Sequence, residues 1–224
     1  QHTRLSSPIP PKPCSFKPLK LCRKWHWISV KLGKWPVRNR VTELLSRIAE
    51  LSALPDEVCA RIHGAREVVD AQQVQIALDR FAVTLTARLQ DKNPLVIALL
   101  PDSTFLLGAL MQRTVFAQQL LYAEWSDSGL RSVGSWPSLQ GRTTVLLDSG
   151  RSSASDYQRM AAALTQRTAG ATWLCRLIET SAAAPPTGFD ESLSAVICDE
   201  RNVFGCGLDV LGYCRNLPSL CAHD

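Results

Sequence analysis

The sequence predicts an open, mainly parallel α/β sheet flanked by helices, preceded by an irregular extension. Three observations carry this expectation. Short all-apolar runs, such as LVIALL at 95–100 and TTVLLD at 143–148, have the length and composition of strands buried on both faces. Stretches of helical period separate them, and alternation of strand and helix implies crossover connections. Finally, ten basic residues and no acid fall within residues 1–42, which sets that stretch apart from the rest of the 224-residue chain.

Two parts therefore follow, an extension over 1–42 and a folded body over 43–224. In the extension, Pro8, Pro10, Pro11, Pro13 and Pro18 forbid helix and remove amide donors, so extended chain is expected. In the body, Val41, Leu44, Leu45, Ile48 and Leu51 form a helical stripe that Pro55 is expected to end. Asp70 is placed as the N-cap of a second helix with Val74, Leu78, Phe81, Leu85 and Leu89 on one face. A strand at 95–100, a covering helix at 105–111, a strand at 143–148 and a helix at 154–168 before Gly170 follow. Strands at 171–178 and 193–198 complete the sheet. Ligand crevices in such sheets lie beyond the carboxyl ends of the strands, which singles out loops 100–104, 148–156, 179–181 and 199–204.

Composition excludes several classes. At 46% hydrophobic residues the chain is too apolar for a disordered protein and long enough for a core without disulfide staples. No run approaches the roughly 20 apolar residues of a membrane-spanning helix, because LVIALL stops at Pro101 and Asp102, so no transmembrane segment is expected. Eight cysteines contain no Cys-x-x-Cys pair and accompany only four histidines, so no metal and no cofactor is expected, and the thiols are read as reduced and mostly buried.

Of 25 basic residues ten lie in the extension, leaving fifteen against twenty acids, a net charge of −5 for residues 43–224. A +10 arm on a mildly acidic body points to an anionic or grooved partner. Trp25, Trp27 and Trp35 interleave with Arg23, Lys24, Lys31 and Lys34, which marks these seven as partner-binding candidates. That mixture suits RNA, through phosphate pairing and base stacking. It suits anionic lipid equally, with Trp at headgroup level and Lys on phosphates. It also suits packing into a protein neighbour. The first residue is Gln, and an acid-free basic start has the composition of an organellar import sequence, so a mitochondrial chain with its presequence removed is expected.

NVFGCGLDVLGYCRNLPSL at 202–220 resembles the end of hypoxanthine-guanine phosphoribosyltransferases, where V-F-G-x-G-x-D-x-x-G-Y-x-R-N-L-P recurs. The resemblance spans roughly residues 64–221 and implies a type I phosphoribosyltransferase-like fold. It also implies a site that joins a purine to C1 of phosphoribosyl pyrophosphate with magnesium. Carried over position by position, most of that site is absent. Asp148 keeps the first acid of the signature loop, Ser149 replaces the second, and Ser152 stands at the catalytic aspartate. Asp156 stands where a phosphate-binding Thr is expected, an anion against a phosphate. Pro101 and Asp102 replace the glycine pair of the pyrophosphate loop, no lysine falls at 179–181, and Asn202 takes the place of the purine-stacking aromatic. The stretch from Trp125 to Gly141 leaves no room for a mobile lid. Only Asp209 and Arg215 match metal- and pyrophosphate-contacting positions, and both lie within the fold-shaping motif.

A serine hydroxyl cannot replace a tuned carboxylate that supplies about 10²–10⁴ in rate. The resemblance with these losses implies a catalytically inactive accessory or structural subunit of a large mitochondrial assembly, either the mitochondrial ribosome or a respiratory complex. Its partners would be other protein subunits, with RNA or anionic lipid met by residues 1–42. An active or nucleotide-binding phosphoribosyltransferase with altered substrate is the alternative.

Overall fold

The computed structural model describes Leu45 and residues 54–139, 141–181 and 186–223. Contacts divide the chain between residues 37 and 38, and every described residue belongs to the unit from Arg38 onward. The partner-binding candidates of the extension lie outside the described residues. Of the helix expected at 41–51, Leu45 alone is described; it is helical and buried.

Helix α1 spans Asp56–Ile62, with Pro55 as its N-cap. Pro55 begins a helix, whereas the end of the helix it was expected to close lies outside the described residues. The proline ring fixes φ near the helical value, and Asp56 and Glu57 complement the dipole in the first turn. Strand β1 (Arg66–Val69) precedes helix α2 (Ala71–Leu89). Asp70 caps α2 as expected, accepting from the Gln73 amide at 2.8 Å, while the Gln73 side chain accepts from the Asp70 amide.

The main sheet holds six strands. β2 (Leu95–Leu99), β3 (Gln119–Ser126), β5 (Thr144–Asp148), β6 (Thr172–Glu179) and β7 (Glu191–Ile197) are parallel. β4 (Gly129–Ser132) is an antiparallel edge on β3, giving the order β4-β3-β2-β5-β6-β7. Helix α3 (Thr104–Met111) follows β2, and α4 (Ala154–Thr165) follows β5. Side chains of α2 and α3 pack on Val96, Val145 and Leu147 on one face. Tyr157, Met160 and Leu164 of α4 pack on Leu95, Ile97, Leu146 and Leu174 on the other. Each fully buried leucine stabilises the fold by about 2 kcal/mol.

A second sheet pairs β1, β9 (Leu220–Ala222) and β8 (Val203–Phe204), all antiparallel. It carries its own cluster of Val58, Ile62, Phe204, Val210, Leu217 and Cys221, joined by Leu45. The stretch after Trp125, read as too short for a mobile lid, closes a hairpin, with Asp127 and Ser128 turning β3 into β4 and Gly129 at φ +102°. The six described cysteines are free thiols, four of them buried. No described helix is long and apolar enough to cross a membrane.

Candidate functional site

The carboxyl ends of β2, β5 and β6 converge on the loops singled out in the sequence. Asp148 closes β5 and is buried; its carboxylate accepts the Gly150 amide at 3.0 Å and the Tyr157 hydroxyl of α4. Burial first, and then the Asp148 charge, push the Tyr157 phenol far above its ordinary value, so it stays a donor. The Ser152 hydroxyl bonds Tyr157 as well. Ser149 is buried, and its carbonyl accepts the Ile178 amide at 3.0 Å. Gly150 has φ +100°, and a Cβ there would sit 2.0 Å from the Ile178 carbonyl oxygen, so the loop's path over β6 demands glycine.

The start of α4, which the resemblance makes a phosphate cradle, is occupied by the chain's own anion. Ser153 accepts from the Asp156 amide at 3.1 Å and donates to Asp156 Oδ2 at 2.6 Å. Trp125 Nε1 donates to Asp156 Oδ1 at 3.1 Å, and Arg159 approaches the same oxygen at 3.5 Å while lying over the Trp125 ring. The Ser153 bond, then the Trp125 bond, hold the Asp156 carboxyl below its ordinary range. Ser155 bonds Ser153 at 2.9 Å, so both hydroxyls are already engaged inside the helix start.

Beyond β2, the Leu100–Pro101 peptide is cis, and Ser103 and Thr104 donate to the carbonyls of Leu99 and Pro101, each at 2.6 Å. Asp102 pairs with Arg215. Arg215 also reaches Asp209 at 3.1 Å, and Arg151 meets the same Asp209 oxygen at 3.1 Å. Asp209 Oδ2 accepts the Gly212 amide at 2.6 Å. Burial raises the Asp209 carboxyl, but the Gly212 bond and the Arg215 and Arg151 charges outweigh it and leave the carboxyl below its usual range. Asp209 and Arg215 thus bind each other, with Arg151 and Asp102 at the two ends.

At the end of β6, where a purine-reading lysine is absent, Glu179 turns back to Arg176 at 3.0 Å and accepts Ser194 at 2.6 Å. Arg176 is buried, bonds Ser192 at 3.1 Å, lies 5.7 Å from the Tyr157 ring centroid, and has no partner for its Nε. Ser181 binds Asp199 through its amide at 2.6 Å and its hydroxyl at 2.9 Å. Asn202 is exposed at φ +52° and donates to the His223 carbonyl at 3.5 Å.

The structure therefore brings Asp148 and Ser152 together through Tyr157, and Asp209 and Arg215 through a direct pair, while Asp156 faces Trp125. Sequence reasoning missed Arg151, Tyr157 and Arg176. A signal existed for Arg176 alone, a lone cation within the otherwise apolar ATWLCRLI. Among the described residues no three His, Cys, Asp or Glu side chains converge on a metal position. The carboxylates of Asp102, Asp148, Asp156, Glu179 and Asp209 that line the crevice all have internal partners.

These elements define a protein with the type I phosphoribosyltransferase fold. Its likeness to solved structures is consistently to hypoxanthine-guanine phosphoribosyltransferases. The Leishmania donovani (L. donovani) enzyme superposes with a TM-score of 0.60 at 14% identity, covering 71% of this chain and 96% of that one. A hypoxanthine-guanine phosphoribosyltransferase from Bacillus anthracis gives 0.59 at 13% identity, covering 70% and 97%. A hypoxanthine-guanine-xanthine phosphoribosyltransferase gives 0.59 at 19% identity, covering 71% and 96%. No family model matches the sequence, and no curated protein matches it.

Proposed function

We propose that this chain is a catalytically silent phosphoribosyltransferase-like subunit of a large mitochondrial assembly, docked through its basic N-terminal arm. The observation that carries the silence is the self-satisfied crevice. The Asp156 carboxylate lies at the α4 start, and Asp209 and Arg215 are tied to Arg151 and Asp102. A sugar diphosphate would have to displace both sets of contacts and meet Asp156 as a like charge. Ser152 supplies no base of suitable strength. Support for the assembly is the charge division, +10 on residues 1–42 against −5 on the rest, with Trp25, Trp27 and Trp35 among the cations.

The chemical half is tested with the full chain, magnesium, phosphoribosyl pyrophosphate, and hypoxanthine or guanine. The expected result is no nucleotide and no thermal shift at millimolar ligand, because a ligand that binds only the folded state must raise its stability. Nucleotide formation, or a clear shift, would instead establish an active or nucleotide-binding enzyme of altered substrate. The assembly half is tested by purifying the tagged full chain from mitochondria and crosslinking at Trp25, Trp27 and Trp35. Co-purification with the mitochondrial ribosome or a respiratory complex, lost on removing residues 1–42, is expected. A chain that sediments alone or resides outside mitochondria defeats this half.

A further inference from the structure

Residues 205–217 run between the two sheets and bury side chains in both cores. Cys206 and Leu208 enter the cluster under α2 and α3, whereas Val210 and Leu217 enter that of the small sheet. The backbone of this strap is unusual. Gly205, Cys206, Gly207, Leu211, Gly212 and Cys214 all have positive φ, and three of these carry side chains. Each non-glycine residue in that conformation costs on the order of 1 kcal/mol. Leu211 and Gly212 form a two-residue turn closed by the Val210 and Tyr213 backbones at 3.0 and 2.9 Å, a place where Asn or Gly is the favoured first residue. Leu211 is also 44% exposed, so burial does not offset its conformation.

Something must hold a strained joint in register. Gly207 lies against the β2–α3 loop so closely that a Cβ would sit 2.8 Å from the Asp102 carbonyl oxygen. From that loop Asp102 pairs with Arg215, Arg215 with Asp209, and Asp209 with Arg151 of the β5–α4 loop. The chain of alternating charge joins residues 113 and 58 positions apart. Arg215 additionally donates to the Gly207 carbonyl at 2.6 Å, and the Gly207 amide returns to the Arg215 carbonyl at 2.8 Å.

We propose that the Asp102–Arg215–Asp209–Arg151 chain is an electrostatic clasp that locks the strained strap, and with it the small sheet, onto the carboxyl end of the main sheet. Its members are partly exposed, with side chains 19–44% accessible, so the clasp is weakened by salt in a way the apolar cores are not. It goes beyond the question of activity, since the joint needs locking whether or not the crevice turns over a substrate. In a subunit that serves as a docking block, the clasp would keep the two sheets as one rigid surface.

Maleimide labelling of the native full chain, followed by mass spectrometry of each cysteine, reads the clasp directly. Cys206 lies in the strap and Cys175 in β6, and both are wholly buried, so Cys175 reports global opening and Cys206 reports global plus strap opening. Asp209→Asn and Arg151→Gln should each raise Cys206 labelling about tenfold while leaving Cys175 unchanged, the scale of one lost partly buried charge contact. Wild-type Cys206 labelling should rise likewise between about 0.01 and about 1 M salt, as the screening length falls from about 30 to about 3 Å. A parallel rise of Cys175, which would mean a general loss of stability, or no change in Cys206 for either variant, overturns the clasp.

Discussion

At the scale of single residues, Arg176 is a buried cation whose Nε has no partner. It lies within the sheet at 4% exposure, between the Tyr157 ring and Ser192, with one carboxylate partner in Glu179. Taking a guanidinium out of water is costly, and the pair recovers that cost only while both members are present. Glu179→Ala would leave the cation unpaired, and unfolding in urea should show a loss of about 3 kcal/mol. The double variant Arg176→Met with Glu179→Leu removes both charges and keeps side-chain volume. It should recover most of that loss, because a well-packed apolar replacement of a buried pair is often neutral. If the single and double variants were equally unstable, the pair would contribute through packing rather than charge. Gly150 makes the complementary point about backbone: its left-handed φ and contact with the Ile178 carbonyl bring Arg151 to Asp209, so one glycine positions one end of the clasp.

At the scale of elements, α2 shows how local chemistry fixes a boundary. Its Asp70–Gln73 capping box satisfies two amides that the helix itself leaves without partners. Asp70→Ala should therefore destabilise the fold by about 1 kcal/mol and Asp70→Asn by much less, measured as a shift in urea midpoint at constant slope. A helix of 19 residues with Val74, Leu78, Phe81, Leu85 and Leu89 all buried was fully legible, since period and cap agree. β2, β5 and β6, buried along their length except for Glu179 at the end of β6, were legible as mainly apolar runs. β3 was not: its exposure alternates only in part along QLLYAEWS, and it resembles neither a buried run nor a clean half-buried strand. β8 and β9 have two and three residues, too few to show any period. The site divides similarly. The C-terminal motif announced Asp209 and Arg215, but their partners Arg151 and Asp102 lie 58 and 113 positions away from the residues they meet, a separation that leaves no trace in spacing.

For the whole molecule, buried thiols are spread over every layer: Cys175 in the main sheet, Cys206 in the strap and Cys221 in the small sheet. Burial is the leading cause that pushes Cys175 and Cys206 up to about 12 and Cys221 to about 11, and Tyr157 rises too. The sign is fixed by linkage. Above a pH of about 8.5 the unfolded chain releases these protons while the folded chain retains them, so the folded state binds more protons and stability falls as pH rises. Each group contributes a slope of about 1.4 kcal/mol per pH unit between its unfolded and folded values. Three thiols together give about 4 kcal/mol per unit between pH of about 9 and 11, against a total stability for domains of this kind of about 5–15 kcal/mol. Urea titrations across that range should show full stability below pH of about 8.5 and cooperative unfolding before pH of about 11. Cys175→Val should remove about one third of the slope while leaving the neutral-pH midpoint near its original value, because it retains an apolar side chain of similar volume. A stability that stays flat to a pH of about 11 would mean that the cores open locally and let their thiols ionise without unfolding, and the strap between the two sheets is where such opening would begin.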